Sequence, residues 1–94
     1  MQEIFKALAD PSRREIIFLL MEKEHAVKEM SEKLNIPMST LSHHLDILYN
    51  SGLVTKRKKG TFIIYAPALS VLDELVTYVV KSFKKKEVTV MDNE

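Results

Sequence analysis

The chain contains no cysteine and no tryptophan, and of its 94 residues only two are glycine and three proline. Without cysteine there is no disulfide framework, no thiolate nucleophile and no Cys-based metal site, so nothing places the chain outside a reducing cytoplasm, which is the expected location. Long hydrophobic runs are also missing: none approaches the roughly 20 residues a membrane span needs, and the N-terminus lacks a basic-then-apolar signal pattern. What remains is 46% apolar with few breakers, the composition of an ordered, mainly helical protein. At this length it forms one domain, or less than one if it must pair to complete its core.

Charge of one sign is lacking in total but not locally. The net charge is +1, yet Lys56, Arg57, Lys58 and Lys59 are consecutive, as are Lys84, Lys85 and Lys86, while the acids lie mostly in the first half and at the extreme end. A local field of this kind can steer a polyanion even on a nearly neutral chain.

The most informative stretch is Met38 to Tyr49. Wound on a helix at about 100° per residue, it puts Leu41, Leu45 and Leu48 on one side, with Ser39, Ser42, His43, Asp46 and Asn50 on the other. A leucine stripe for docking, opposite short hydroxyls, an imidazole and an amide, suits a helix that enters a groove of nucleic acid.

The flanking sequence supplies a frame for it. Glu3 to Ala9 carries Ile4, Phe5 and Leu8 at helical spacing, a helix too short to stand without packing. Asp10-Pro11 is an N-cap followed by proline at the first helical position, and starts a second helix to Lys23. The apolar surface of Ile16, Ile17, Leu19, Leu20 and Met21 makes that helix the expected centre of the core. Glu24-His25 reads as a break. Val27, Met30 and Leu34 mark a third helix ending at Asn35, which tolerates the left-handed cap conformation. Ile36-Pro37 cannot continue it, so the third and fourth helices form a helix-turn-helix candidate.

Ser51-Gly52 stops the fourth helix, and the pattern changes. Leu53 to Lys58 and Thr61 to Ala66 are rich in β-branched and aromatic residues about a Lys59-Gly60 turn, which predicts an antiparallel hairpin with a basic tip. Phe62, Ile64 and Ala66 alternate with Thr61, Ile63 and Tyr65, giving one buried and one partly polar face. From Leu69 to Lys86 helical spacing returns in Leu72, Leu75, Val76, Val79, Val80 and Phe83. That stripe exceeds what a chain of this size needs for its own core, so its expected partner is a second copy, with Ile4, Phe5 and Leu8 of the first helix beside it. Lys84 to Lys86 suit the end of that helix. Glu87 to Glu94 lack periodicity and are expected to be a disordered tail after a domain spanning residues 1–86.

Helix-turn-helix followed at once by a basic hairpin is the layout of a winged helix-turn-helix, mainly α with a small β-hairpin. In that layout Ser39, Thr40, Ser42 and His43 face the groove, and the cations Lys56, Arg57, Lys58 and Lys59 of the wing face DNA. His44 turns to the leucine side as a boundary residue bonded to backbone. Arg13 and Arg14 are read as helix-surface partners of Glu3, Asp10 or Glu22 in preference to phosphate ligands. Ser39 and His43 stand four residues apart, but no buried acid orients the imidazole and no pocket excludes water, so no catalytic residue is assigned and the chain is not read as an enzyme.

Ala9-Asp10-Pro11-Ser12-Arg13-Arg14 with Ile16-Ile17 and Leu19-Leu20, Ser39-Thr40-Leu41-Ser42-His43-His44-Leu45, and Gly52-Leu53-Val54 with the Lys-Gly tip and Tyr65 resemble the ArsR-type (SmtB/ArsR) bacterial repressors over nearly the whole chain. Within that family the nearest likeness is to metal-independent autorepressors of toxin and immunity operons. The resemblance implies a homodimeric, cytoplasmic, autoregulatory repressor acting on an inverted repeat in double-stranded DNA, paired through its first and last helices. It also implies sequestration by a membrane or other protein partner, for which no residue speaks. Many relatives begin the fourth helix with a capping Ser or Thr; here Pro37 stands there and Ser39 is the alternative cap, so Met38 and Ser39 are both candidates for the base edge. Where metal-sensing relatives carry Cys-x-Cys, this chain has Ala26 and Lys28. The last helix offers only Asp73 and Glu74 and no histidine, and adjacent His43 and His44, about 100° apart, cannot close on one ion. No metal site and no cofactor are expected. The competing reading is a winged-helix module whose main partner is another protein.

Overall fold

A computed structural model describes the backbone of residues 1–92 and the side chains of residues 1–85. Five helices and three strands follow in the order α1 (Gln2–Leu8), α2 (Pro11–Glu22), β1 (His25–Ala26), α3 (Val27–Leu34), α4 (Met38–Asn50), β2 (Val54–Lys59), β3 (Phe62–Pro67) and α5 (Leu69–Asp92). This is the winged helix-turn-helix layout. Asp10 caps α2, its Oδ1 accepting from the amides of Ser12 at 2.7 Å and Arg13 at 3.4 Å, with Pro11 in the first turn. Ile16, Ile17 and Leu20 of α2 meet Met30 of α3, the α4 leucines, Leu53, Val54 and Tyr65 in one core.

α2 is less enclosed than its sequence suggests: Phe18 is 63% exposed and Met21 also faces outward. α1 is tied to it by two arginines. Arg13 Nε donates to Ala7 O at 2.6 Å and Nη2 to Lys6 O at 3.3 Å; Arg14 Nη1 donates to Leu8 O at 2.7 Å and Ala9 O at 3.2 Å. These guanidinium groups therefore satisfy carbonyls at the α1 C-terminus. Of the acids expected as partners, Asp10 lies 3.9 Å from Arg13.

The hairpin is joined by a third strand that its two residues were too few to signal. β1 pairs with β3, His25 opposite Tyr65 and Ala26 opposite Ile64, giving the order β1-β3-β2. His25, read as part of a break, is 1% exposed, its Nδ1 2.7 Å from Lys23 O and its Nε2 3.3 Å from Lys33 Nζ. The turn is one residue later than expected, at Gly60-Thr61, because Lys59 pairs with Phe62. Gly60 sits at φ 64°, the sign a II′ loop requires at its first position. The buried side chain of β3 is Tyr65, whereas Phe62 is 57% exposed: the tip overshoots the body, so alternation there has no core to meet.

α5 runs 24 residues, about 36 Å of helix. Among its described residues Val71 and Leu72 pack against the core. Further along, Tyr78 meets Phe5 of α1, and the chain is 60 Å long but only 22 × 21 Å across. Lys84, Lys85 and Lys86 are consequently inside the helix, not at its end, because the backbone remains helical to Asp92. The expected unstructured tail covers residues 87–94, of which the last two lie outside the described residues.

Candidate nucleic-acid interface

The α3–α4 turn is built from Asn35, Ile36 and Pro37. Asn35 takes the left-handed conformation at φ 53°, and its amide and that of Ile36 donate to Ser31 O. Ser31 Oγ returns a bond to Ile36 O at 2.6 Å, closing the corner. At the other end of α3, Glu29 Oε1 accepts from the amide of Ala26 at 3.2 Å. α4 then starts at Met38 with Pro37 before it and no side-chain cap, so Ser39 does not serve as one. The first intrahelical bond is Leu41 N to Pro37 O at 2.9 Å. The amides of the first turn therefore stay open at the positive end of the helix.

Leu41, Leu45 and Leu48 are completely buried. On the opposite side Met38, Ser39, Thr40, Ser42, His43, Asp46 and Asn50 are all exposed. The hydrogen-bonding groups are thus presented outward on a helix seated by its leucines. His44 differs from expectation: its Nδ1 lies 3.3 Å from Arg13 Nη1, a side-chain partner in place of backbone. Its neighbour His43 is exposed, with the ring centroids 6.2 Å apart.

Cross-strand partners share a face of a sheet, and that divides the wing's cations. Lys56 and Lys58 lie opposite Tyr65 and Ile63, while Arg57 and Lys59 lie opposite Ile64 and Phe62. Lys56 Nζ stands 4.2 Å from the centroid of Tyr49, holding the wing against α4 by a cation–π contact. Arg57 is engaged elsewhere: Nη1 and Nη2 donate to the two carboxylate oxygens of Glu24, both at 2.7 Å. The Arg57 hydrogen bond holds the Glu24 carboxyl below its ordinary pKa, against a smaller opposing effect of burial and with help from the charges of Arg57 and Lys59. Burial pushes Tyr65 upward, with contributions from Asp46 and Tyr49.

The sequence gives Glu24, Tyr49 and Lys28 no part in this surface. Glu24 meets Arg57 from 33 residues away, Tyr49 meets Lys56 across the α4–β2 junction, and Lys28 lies beside a cleft between α4 and the wing. On α5, Val76, Val80 and Phe83 are exposed, as is Phe5 of α1, and Ile4, Leu8, Leu72, Leu75 and Val79 are half-buried. The rings of Phe5 and Tyr78 meet at 6.0 Å between centroids, tilted by 52°, joining the two helices. Leu8, Ile17, Phe18 and Leu72 line an apolar hollow beside them, which brings Phe18 into that surface.

The sequence has no cysteine, and among the described residues no group of three or more His, Asp or Glu side chains converges. Among the described residues, no helix is long and apolar enough to cross a membrane.

Residues 10–56 match the profile of the bacterial regulatory proteins of the arsR family. The transcriptional repressor SdpR of Bacillus subtilis (strain 168) is 33% identical over 85 residues, covering 90% of this chain and 94% of its own. The arsenical resistance operon repressor of the same organism is 40% identical over 65 residues, 68% of this chain and 62% of its own. Among solved structures, the homodimeric winged helix-turn-helix DNA-binding domain of Mb0332 from Mycobacterium bovis superposes with a TM-score of 0.72 at 32% identity, covering 85% of this chain and 77% of that one. An ArsR family transcriptional regulator superposes at 0.82 over 92% of this chain and 94% of its own; at 23% identity this bears on the fold alone.

Proposed function

The chain belongs to the arsR family of bacterial regulatory proteins, a family of transcriptional regulators and not of enzymes, and on that footing we propose that it is a homodimeric repressor that binds an inverted repeat in duplex DNA. The observation that carries the reading is the exposed row Ser39, Thr40, Ser42 and His43 standing over three completely buried leucines, beside a lysine-bearing wing. Short hydroxyls and an imidazole can donate to or accept from base edges, and the open first turn of α4 suits a phosphate. Met38 and Ser39 both lie in that turn and both are assigned to the interface. Lys56, Lys58 and Lys59 supply backbone contacts; Arg57 contributes less, because Glu24 already occupies its donors.

The dimer forms through α1 and α5, whose exposed Phe5, Val76, Val80 and Phe83 leave water when a second copy packs there. Two recognition helices then enter successive major grooves about 34 Å apart. Repression follows by occlusion of a promoter, its own included. The sequence has no cysteine, and no carboxylates or imidazoles converge among the described residues, which supports release by a signal other than a bound metal, such as a sequestering protein.

Selection from a random duplex pool, followed by footprinting, tests this. The expected result is a symmetric site, and a Ser42→Ala/His43→Ala variant that folds and dimerises yet loses preference for it. Recovery of no preferred duplex, or full selectivity in the double variant, overturns the reading.

A further inference from the structure

Two hollows flank Phe62. The one between α3 and the outer face of the wing has charges of both signs at its border, Glu29 and Glu32 with Lys28 and Lys59. The other, about 360 Å³, opens between the first turns of α4 and the wing; Met38, Ser42, Thr61 and Ile63 form its rim, and Lys28 is its one charged lining residue. Lys58 stands directly across the hairpin from Ile63, on the same face. An apolar hollow with cations and no acid at its border suits a small apolar group carried on a polyanion. The first hollow, with two carboxylates among its lining groups, suits it less.

Met38 is 51% exposed and Ile63 40%, although both are large apolar residues on the side of the molecule assigned to DNA. Among the groups that base pairs present in the major groove, the 5-methyl of thymine alone is apolar. A cytosine amine or a guanine carbonyl placed between a thioether and an isoleucine would lose its water without gaining a partner, whereas a methyl group gains contact and surrenders nothing. We infer that the cleft between Met38 of α4 and Ile63 of the wing receives a thymine methyl, and so selects thymine at one position in each half-site. Ser42, on the same rim, is placed to hydrogen-bond the adjoining base edge. This rests on the reading of the chain as a duplex-DNA binder and adds to it a particular base and the two elements that hold it.

The probe is the duplex recovered by site selection, compared with duplexes in which each thymine in turn is replaced by deoxyuridine, which removes the methyl and leaves base pairing intact. One position per half-site should lose about fourfold in affinity, the worth of one buried methyl-sized group. Met38→Ala should bind the parent duplex more weakly and respond equally to both duplexes, and Ile63→Thr, close in shape but polar, should halve the discrimination or better. Met38 is a surface side chain, and unchanged thermal melts would establish that its variant folds. If a preferred duplex exists but every deoxyuridine replacement is neutral, or if Met38→Ala still discriminates, the thymine assignment is wrong while the repressor reading stands. If no preferred duplex exists, the repressor reading itself has failed.

Discussion

Arg13 of α2 and His44 of α4 meet at 3.3 Å, Nη1 to Nδ1, and the same guanidinium donates through Nε and Nη2 to the carbonyls of Ala7 and Lys6. A guanidinium can only donate, so Nδ1 of His44 is the acceptor and its ring hydrogen is on Nε2. One side chain thereby links the C-terminal end of α1, on the proposed dimer surface, to the inner flank of the recognition helix.

Arg13→Ala should lower stability by about 2 kcal/mol, since a largely buried charged donor to two carbonyls is lost. Arg13→Lys should recover little, because an ammonium cannot span the same three acceptors. For His44, Asn should be tolerated better than Phe, which offers no acceptor. Urea denaturation of the four variants checks the ordering.

Glu24 and Arg57 form an exposed, bidentate pair, so Glu24→Gln should change stability little. The folded-state pKa of Glu24 lies below its ordinary 4.5. The pair's stabilisation is therefore complete above the ordinary value and disappears as pH falls through the lower one. Release of Arg57 should also be visible in DNA binding: Glu24→Gln should steepen log K against log[salt], by up to about 0.9 for each new phosphate contact. Lys58→Ala should flatten the same slope, and Arg57→Ala should leave it nearly unchanged. A slope indifferent to Lys58 removes the wing from the interface.

Val80→Glu and Phe83→Glu each place a carboxylate on the exposed stripe of α5. Each should weaken self-association on the order of thirtyfold, from about 2 kcal/mol of apolar burial lost at a dimer contact. Because both side chains are exposed in the single chain, helical content should not change. Sedimentation equilibrium with circular dichroism separates the two effects, and an unaltered dimer would rule out this face.

Gly60 has φ 64° and open space where a Cβ would stand. Gly60→Ala should then cost about 1 kcal/mol from backbone conformation alone, and Gly60→Asn less, since Asn visits the left-handed region readily. Amide exchange confined to residues 54–67 would confirm that the effect stays in the wing.

The local signals were legible and the distant ones were not. The leucine stripe of α4, the Asp10-Pro11 start and the Asn35-Ile36-Pro37 corner each depend on neighbours within a turn, and each is where the sequence puts it. Arg13 and His44 are separated by 31 residues, and Glu24 and Arg57 by 33, so no periodicity joins them. β1 has two residues and leaves no pattern. Phe18 escaped notice because an apolar residue on a helix already rich in core positions carries no mark of the side it faces. The surplus apolarity of α5 did show in the sequence, and in the single chain much of it is exposed at Val76, Val80 and Phe83.

Among its described residues α5 meets the core near its start, through Val71 and Leu72, and beyond that touches α1 through Tyr78. In a dimer held along that helix, the junction acts as a pivot. A tilt of about 5° there swings the far end of a roughly 36 Å rod by about 3 Å, close to the rise of one base pair. Replacements at Val71 or Leu72, distant from any DNA contact, should therefore alter the length of spacer that the two reading heads prefer.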